Sequence, residues 1–313
     1  MDANQRSCQL LKDIHLHPAQ CKAQTLTVGG ARIVDFGVEC QGGLEAGLLL
    51  ARATCGDLAN VNLVSAAINQ QTYPAIQYST DQPLWACMGC QYAGWPVQHE
   101  GFFAMASGPA RLLRGKEKVL EEFELVEPSS SACICLESSK IPAESVVEAV
   151  AAECSIDASQ LTVAIAPTSS IAGSVQVVAR SVETALHKLH ELDFDISKVV
   201  SGVGVAPIPP IANDDLKGIG LTNDSILFGG KVDLWVRVDQ KLVDEIGPLL
   251  PSSASNDYGT PFYELFKQKE FDFYKIDPHL FSPASVTIHN LESGVSKTFG
   301  ELNHELLNHS FGI

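Results

Sequence analysis

Apolar residues between positions 166 and 192 recur at steps of three and four, which is the spacing of one face of an α-helix. The members of this stripe are Ile171, Val175, Val178, Val182, Leu186 and Leu189. The segment Pro167-Thr168-Ser169-Ser170 comes directly before the stripe and carries hydroxyl side chains of the kind that cap helix starts. The pattern therefore predicts a loop that leads into a helix ending near Leu192.

The rest of the chain predicts strands and helices that are mixed without strict alternation. Strands are predicted at residues 26–38 (a pair turning at Gly29-Gly30), 61–68, 75–79, 131–136, 161–166 and 199–206. Helices are predicted at residues 42–58, 110–122, 142–154, 243–246 and 261–269, and residues 1–22 are helix-prone. Turn residues predict two further hairpins, 225–228 with 231–238 around Gly229-Gly230 and 286–290 with 296–299 around Ser293-Gly294. We therefore predict an α+β fold with mixed sheets.

The length of the chain bounds its domain organisation. A chain of 313 residues can form one large domain or two moderate ones. The stretch Pro128-Ser129-Ser130-Ser131 is the most linker-like part of the sequence and is the candidate boundary between two lobes. We treat residues 1–313 as a single unit that contains both.

The net charge of the chain limits the classes of partner that the protein can bind. It has 37 acidic and 21 basic side chains, a formal net charge of −16, whereas a broad nucleic-acid surface or a basic membrane surface needs the opposite excess. This negative net charge does not exclude a small anionic ligand, because a few basic side chains suffice to bind one. Candidates for that role are Arg111, Arg114, Lys116 and Arg180. The sequence carries no apolar run of signal-peptide or membrane-spanning type, so we expect the protein in the cytoplasm.

Nine scattered cysteines fit a reducing compartment better than a disulfide framework. Cys87 and Cys90 have CxxC spacing, and the other close pair is Cys133 and Cys135. A structural zinc site commonly uses two CxxC pairs, so we predict no metal and expect small buried thiols. Gly202-Val203-Gly204 is followed by prolines instead of a helix start, which argues against a dinucleotide-binding loop.

A second face of the predicted helix carries Gln176, Arg180, Glu183 and His187. Arg180 and Glu183 are three positions apart, so their side chains can meet on that face. A solvent-exposed ion pair on a surface helix explains this arrangement without any function. From the residues alone, Arg180 and Glu183 can be either a solvent-exposed ion pair or a catalytic pair.

The segment PTSSIAGSVQ, with the AR, ET and HKL residues that follow it, resembles the signature of the methenyltetrahydromethanopterin cyclohydrolase family. Further blocks resemble that family in the same order, from about residue 30 to the end of the chain. They are STDQP (79–83), QYAGW (91–95), FAMASGPAR (103–111), GVAPIPP (204–210), TNDSI (222–226), YGTPFY (258–263) and DFYKIDP (272–278). Several blocks in order are more specific than any one short motif.

The resemblance implies two α/β-type lobes with a cleft between them, a homotrimer and a small pterin substrate. It implies reversible hydrolysis of N5,N10-methenyl-tetrahydromethanopterin to the N5-formyl form in one-carbon metabolism, with no metal or redox cofactor. Glu183 matches the family's proposed catalytic carboxylate and would act as general base toward water. Arg180 matches its partner arginine, whose charge would hold Glu183 ionised. An ion pair that only braces the helix is the alternative.

Five more residues are candidates for proton relay or substrate binding. His187, one turn beyond the proposed base, could pass a proton to the leaving nitrogen, or it could lie on a helix face in water. Ser107 and Arg111, at a predicted helix start, could bind a polar or anionic tail, or they could form a plain cap and turn. Tyr92 and Trp95 could stack on a pterin ring, or they could pack in the core.

Two functions of other kinds stay open beside the cyclohydrolase interpretation. One is a pterin- or folate-binding homologue without catalysis, which would leave a methenyl substrate unchanged. The other is a hydrolase that uses Cys87 or Cys90 as nucleophile, which predicts sensitivity to thiol alkylation.

Overall fold

The chain divides into two compact units, each built from two separate stretches of sequence. The computed structural model describes residues 1–12, 14, 18–68 and 71–313. The first unit comprises Met1–Ala59 and Trp85–Gln176, and the second comprises Asn60–Leu84 and Val177–Ile313. Residues 128–131, the linker-like candidate boundary, lie inside the first unit and not at a crossing between the units.

The first unit contains a six-stranded mixed sheet in which the neighbours follow the order β1-β2-β8-β7-β6-β5. Its strands are β1 Gln24–Val28, β2 Ala31–Asp35, β5 Trp95–His99, β6 Phe102–Ser107, β7 Ala132–Glu137 and β8 Leu161–Ala166. The three central strands β2, β8 and β7 are parallel, and the other pairs are antiparallel. Every residue of β8 is buried, as expected for a parallel strand that is covered on both faces.

Helices cover both faces of this sheet. They are α1 Ala3–Lys12, α2 Pro18–Cys21, α3 Leu44–Thr54, a π-helical segment Leu84–Gln91, α4 Ala110–Arg114, α5 Lys118–Glu122, α6 Glu144–Glu153 and the beginning of α7 Ile171–Val178. One apolar core joins α6 to the sheet, and a second joins α1 and α3 to the opposite face. The helix-prone segment 1–22 is thus two helices, although residues 13 and 15–17 lie outside the described residues.

The second unit contains another six-stranded sheet, in the order β12-β11-β10-β9-β4-β3. Its strands are β3 Asn60–Ile68, β4 Gln71–Thr80, β9 Val199–Pro207, β10 Lys231–Val236, β11 Ser285–Asn290 and β12 Ser296–Gly300. Only the β10–β11 pair is parallel among the described strands of this sheet. Its helices are α8 Ser181–Glu191, α9 Asp215–Gly229, α10 Gln240–Ile246, α11 Phe262–Gln268 and α12 His304–Phe311. The two mixed sheets with their helices confirm the predicted α+β class.

Most predicted elements are present, and the hairpins that depend on local turns are confirmed at two of three places. Gly29 and Gly30 have φ values of +54° and +86° and join β1 to β2, a turn that glycine adopts without steric cost. Strands β11 and β12 pair as predicted around Ser293-Gly294.

Two predicted elements are wrong in extent or type. The helix expected over 110–122 is two short helices, because Gly115 adopts φ +63° and ends α4. The hairpin expected around Gly229-Gly230 is absent, because residues 225–228 belong to the end of α9. This helix begins at Asp215, and Asp214 caps it with a carboxylate that accepts the Lys217 N–H at 2.9 Å. Residues 220–229 of α9 are buried almost without exception, so this part of the helix shows no polar face that would reveal its period.

The helix predicted over the 166–192 segment is also interrupted. The chain leaves α7 after Val178, and Arg180 stands before α8 with φ −89° and ψ 12°. The Arg180 N–H donates to the Val177 carbonyl at 3.0 Å, which forms a tight turn between α7 and α8. Across the described ranges, every helix falls short of the length and apolarity that a bilayer crossing requires.

Candidate active site

The loop after β8 is built to start α7. Ser170 caps the helix, since its Oγ accepts the Gly173 N–H at 3.0 Å, and the Ser174 hydroxyl donates to the Thr168 carbonyl at 3.1 Å. Gly173 is needed here because a Cβ at this position would overlap the Pro167 carbonyl oxygen. The predicted cap chemistry of residues 167–170 is confirmed.

Arg180 and Glu183 lie at the start of α8, in the second unit. Arg180 precedes the helix, and its carbonyl accepts both the N–H and the hydroxyl of Thr184, at 2.8 and 2.6 Å. Glu183 occupies the first turn, where the helix dipole favours a negative charge. Each of the two residues is only 7% exposed. The interpretation as a solvent-exposed surface pair is therefore wrong, because buried charged side chains need specific partners.

Two glycines of β9 let α8 approach the sheet closely. A Cβ at Gly202 would lie 2.7 Å from Val182 Cγ1, and a Cβ at Gly204 would overlap Ser181 Oγ. The Gly202-Val203-Gly204 motif thus lies inside strand β9, and helix α8 packs directly against it. This placement confirms that it is no dinucleotide loop and explains why the motif carries glycine.

We expect Gly204→Ala to destabilise the fold by about 1–3 kcal/mol, since the added methyl group overpacks the contact with α8. Ser181→Ala should cost little, because the Ser181 Oγ is buried and has no hydrogen-bond partner within the described part of the chain. The double variant should regain part of the loss that Gly204→Ala causes. Urea unfolding of the three variants measures this, and a double variant no more stable than Gly204→Ala would contradict the packing account.

His187 and Lys188 lie further along α8. Burial lowers the pKa of His187, with smaller contributions in the same direction from His190, Lys188 and His279, although Glu191 at 3.8 Å opposes the shift. The imidazole is therefore neutral near pH 7 and able to accept a proton. Its role as a relay stays a prediction.

Lys188 is a buried cation that the sequence interpretation missed. It is 1% exposed, burial lowers its pKa to about 8, and its Nζ donates to the His279 carbonyl at 2.6 Å. Ser181, Ala185 and Lys188 share one buried side of α8, and this spacing is the signal in the sequence that could have placed Lys188 inside.

The four residues predicted to bind substrate lie in the first unit. Arg111 is completely buried: its Nη1 donates to the Met88 and Gly89 carbonyls at 2.9 and 3.0 Å, and its Nε donates to Glu117 at 2.9 Å. These contacts hold the π-helical segment and favour the structural alternative for Arg111. Arg114 and Lys116 both pair with Glu153.

The aromatic candidates surround the same region. Trp95 is 4% exposed and belongs to the core, where the Arg114 guanidinium lies 4.5 Å from its ring centroid. Tyr92 is half-buried beneath Arg111, at 5.2 Å, and Ser107 is buried at the end of β6. Their substrate-binding roles stay predictions, and the packing of Trp95 favours its core alternative.

The cysteines are buried or half-buried thiols in the described residues. Burial raises the pKa of Cys90 well above its usual value, which keeps the sulfur in the unreactive thiol form. This argues against a nucleophilic role for Cys90, and Cys87 is completely buried as well. Within the described ranges, no group of three or more His, Cys, Asp or Glu side chains is arranged to hold a metal ion.

Comparison with known proteins identifies the family. A family model described as Cyclohydrolase (MCH) matches residues 3–311. The methenyltetrahydromethanopterin cyclohydrolase of Rhodopirellula baltica is 51% identical over 293 residues, covering 92% of this chain and 88% of that protein. The enzymes of the same name from Methylobacillus flagellatus and Methanosarcina barkeri are 46% and 44% identical, covering 90% and 91% of this chain and 86% and 89% of their own. The chain therefore belongs to the methenyltetrahydromethanopterin cyclohydrolase family.

Proposed function

We propose that this enzyme hydrolyses N5,N10-methenyl-tetrahydromethanopterin reversibly to N5-formyl-tetrahydromethanopterin. The observation that carries the proposal is the family match over nearly the whole chain, together with the burial of Arg180 and Glu183 at the start of α8. The methenyl carbon is part of an amidinium cation and is already electrophilic. The reaction therefore needs an aligned, deprotonated water and a protonated leaving nitrogen.

Glu183 is the proposed general base that takes a proton from the attacking water. Arg180 is its proposed partner, whose positive charge favours the ionised carboxylate and orients the polar adduct. His187, held neutral by burial, is the proposed carrier of the proton to the leaving nitrogen. Water is the nucleophile, and the proposal uses no metal and no redox cofactor.

The test follows the loss of the methenyl chromophore by absorbance, with methenyl-tetrahydromethanopterin and methenyl-tetrahydrofolate side by side. We expect decay well above the spontaneous rate with the methanopterin substrate and a clear preference for it over the folate. Decay at the spontaneous rate would contradict the proposal and favour a pterin-binding homologue without catalysis. Loss of activity after thiol alkylation at Cys87 or Cys90 would favour a cysteine-dependent hydrolase.

The homotrimer implied by the family resemblance is part of the same proposal. Sedimentation equilibrium of the purified enzyme measures its mass. A mass of one chain at assay concentration would contradict it.

A further inference from the structure

Three thiols lie close together under helix α1 in the first unit. Cys133 and Cys135 are alternate residues of β7, so both side chains point to the sheet face whose apolar core α1 and α3 cover. Cys8 lies on α1 and packs against the same core. Cys133 is completely buried, whereas Cys8 is only half-buried. Solvent therefore reaches the Cys8 sulfur but not the sulfur of Cys133.

Polar contacts fix the position of α1 over β7. The completely buried Asn4 accepts the Cys133 N–H at its Oδ1, at 3.0 Å, and its Nδ2 donates to the Pro109 carbonyl at 2.9 Å. One helical turn further along α1, the Cys8 Sγ donates to the Ala132 carbonyl at 3.5 Å. The side chains of Cys8 and Cys133 are also hydrogen-bonded to each other. The two sulfurs are thus held side by side by the packing of a helix on a central strand.

The groups around Cys8 favour its ionised form. In the strand register Cys133 lies beside Thr162 of β8, which in turn lies beside Arg32 of β2, so the same sheet face carries all three. The hydrogen bond from Cys133 lowers the pKa of Cys8 to about 7, against the opposing effect of burial. Hydrogen bonds from the side chains of Thr162 and Ser131 and the charge of Arg32 act in the same direction. About half of Cys8 is therefore thiolate at neutral pH, and the thiolate is the nucleophilic form.

Cys40 is a half-buried thiol of the same unit in the opposite kind of environment. Its Sγ donates to the Asp35 carbonyl at 3.3 Å. Burial raises the pKa of Cys40, and the charge of Asp35 acts in the same direction. Cys40 therefore stays in the thiol form at neutral pH and is the matched control for Cys8.

We propose that Cys8 and Cys133 form a redox modification site, at which hydrogen peroxide oxidises Cys8 and Cys133 then closes a reversible disulfide. The Cys8 thiolate attacks one oxygen of the peroxide, the O–O bond breaks, and the hydroxide that leaves takes up the proton that Cys8 released. The product is a sulfenic acid at Cys8. The Cys133 sulfur attacks the sulfenic sulfur, the S–O bond breaks, and the second hydroxide leaves as water with the proton of Cys133. The two thiols thus supply the two electrons that reduce one peroxide to two waters.

The disulfide joins the N-terminal helix covalently to a central strand of the first sheet. A dithiol reductant regenerates both thiols by thiol–disulfide exchange, so the modification is reversible. Both cysteines belong to the first unit, and the reaction uses no residue of α8. The modification therefore does not depend on the proposed hydrolysis.

The first experiment treats the reduced, folded protein with hydrogen peroxide at pH 7, blocks the remaining thiols in denaturant and maps the disulfides by peptide mass spectrometry. We expect the protein to lose two of its nine thiols first, in one cross-linked pair of peptides that contains Cys8 and Cys133. Dithiothreitol should restore both thiols. Cys40→Ser should behave as the wild type, whereas Cys8→Ser should lose no thiol on the same timescale.

The second experiment measures the alkylation of each thiol of the folded protein by iodoacetamide as a function of pH. The rate at Cys8 should follow an apparent pKa of about 7 and at pH 7 should exceed the rate at Cys40 by about fivefold or more. Cys133→Ala removes the main hydrogen-bond donor to the thiolate, so it should raise the apparent pKa of Cys8 and slow its alkylation at pH 7. In this variant peroxide should leave a sulfenic acid at Cys8, which dimedone captures.

Three results on the wild type overturn the proposal, and none of them requires a variant to fold. The first is oxidation of Cys40 or any other cysteine before Cys8. The second is oxidation of Cys8 to a sulfinic acid without a cross-link to Cys133. The third is an alkylation rate at pH 7 that is the same for Cys8 and Cys40.

Discussion

Glu183→Gln should lower kcat/KM for methenyl-tetrahydromethanopterin by about 10²- to 10⁴-fold, the usual contribution of a general base. Glutamine has nearly the same volume and fits the first turn of α8, but it cannot take a proton from water. The uncatalysed reaction with hydroxide remains available to the bound substrate. We therefore expect the residual rate of the variant to rise with pH in proportion to the hydroxide concentration.

The control for this variant is Glu245→Gln, which removes an exposed carboxylate from α10 in the same unit. It should keep wild-type activity, and circular dichroism should show both variants folded. Full activity of Glu183→Gln would leave the family unchanged and would contradict our mechanism. Equal loss in both variants would assign the effect to the total charge of the enzyme and not to the base.

Asp224 should make the stability of the fold depend on pH between about 4 and 7. Its carboxylate is 1% exposed and accepts the Phe262 N–H at 2.7 Å and the Ser310 hydroxyl at 2.5 Å. Burial raises its pKa from 3.8 to about 7, assisted by the charge of Glu264 and opposed by the two hydrogen bonds. This side chain joins α9 to the first residue of α11 and to α12.

The direction in which stability changes with pH follows from the number of protons that the folded and unfolded states bind. The folded carboxyl keeps its proton up to about pH 7, whereas the unfolded one releases it near 3.8, so the folded state binds more protons in between. The stabilisation from Asp224 is fully present below the unfolded pKa and is lost as the pH rises through the folded pKa. A shift of this size corresponds to about 4 kcal/mol.

Asp224→Asn measures this contribution, because asparagine does not titrate; its amide oxygen still accepts the Phe262 N–H, and its amide N–H can donate to the Ser310 hydroxyl oxygen in place of the bond that Ser310 donates to Asp224. The free energy of unfolding of the wild type, relative to this variant, should fall by about 4 kcal/mol between pH 4 and pH 8. Asp215→Asn, in the first turn of the same helix, is the control for loss of one charge. A difference between wild type and Asp224→Asn that is constant with pH would show that Asp224 ionises normally in the fold.

The amino-acid sequence by itself determined the elements whose causes lie within a few neighbouring residues. The hairpin of β1 and β2 depends on Gly29-Gly30, since only those two residues must adopt positive φ. Strand β8 depends on its own residues, which are all apolar except Thr162, and the start of α7 depends on the cap that Ser170 supplies. The family resemblance likewise lies in the order of the sequence blocks, and it named Arg180 and Glu183 without any structure.

Only the tertiary structure decided which of these side chains are buried and what they contact. An exposed pair and a buried pair have the same spacing, so the burial of Arg180 and Glu183 depends on the elements packed around α8. Arg111 bonds the Met88 and Gly89 carbonyls, and Glu137 bonds Gln176, a partner 39 positions away. The prediction of a hairpin at the end of helix α9 is wrong for the same reason. Contacts from several elements bury most of the surface of this helix, so its sequence shows no alternation of apolar and polar faces at the helical period. Burial and partner choice arise from residues distant in the chain, and a local pattern carries no information about them.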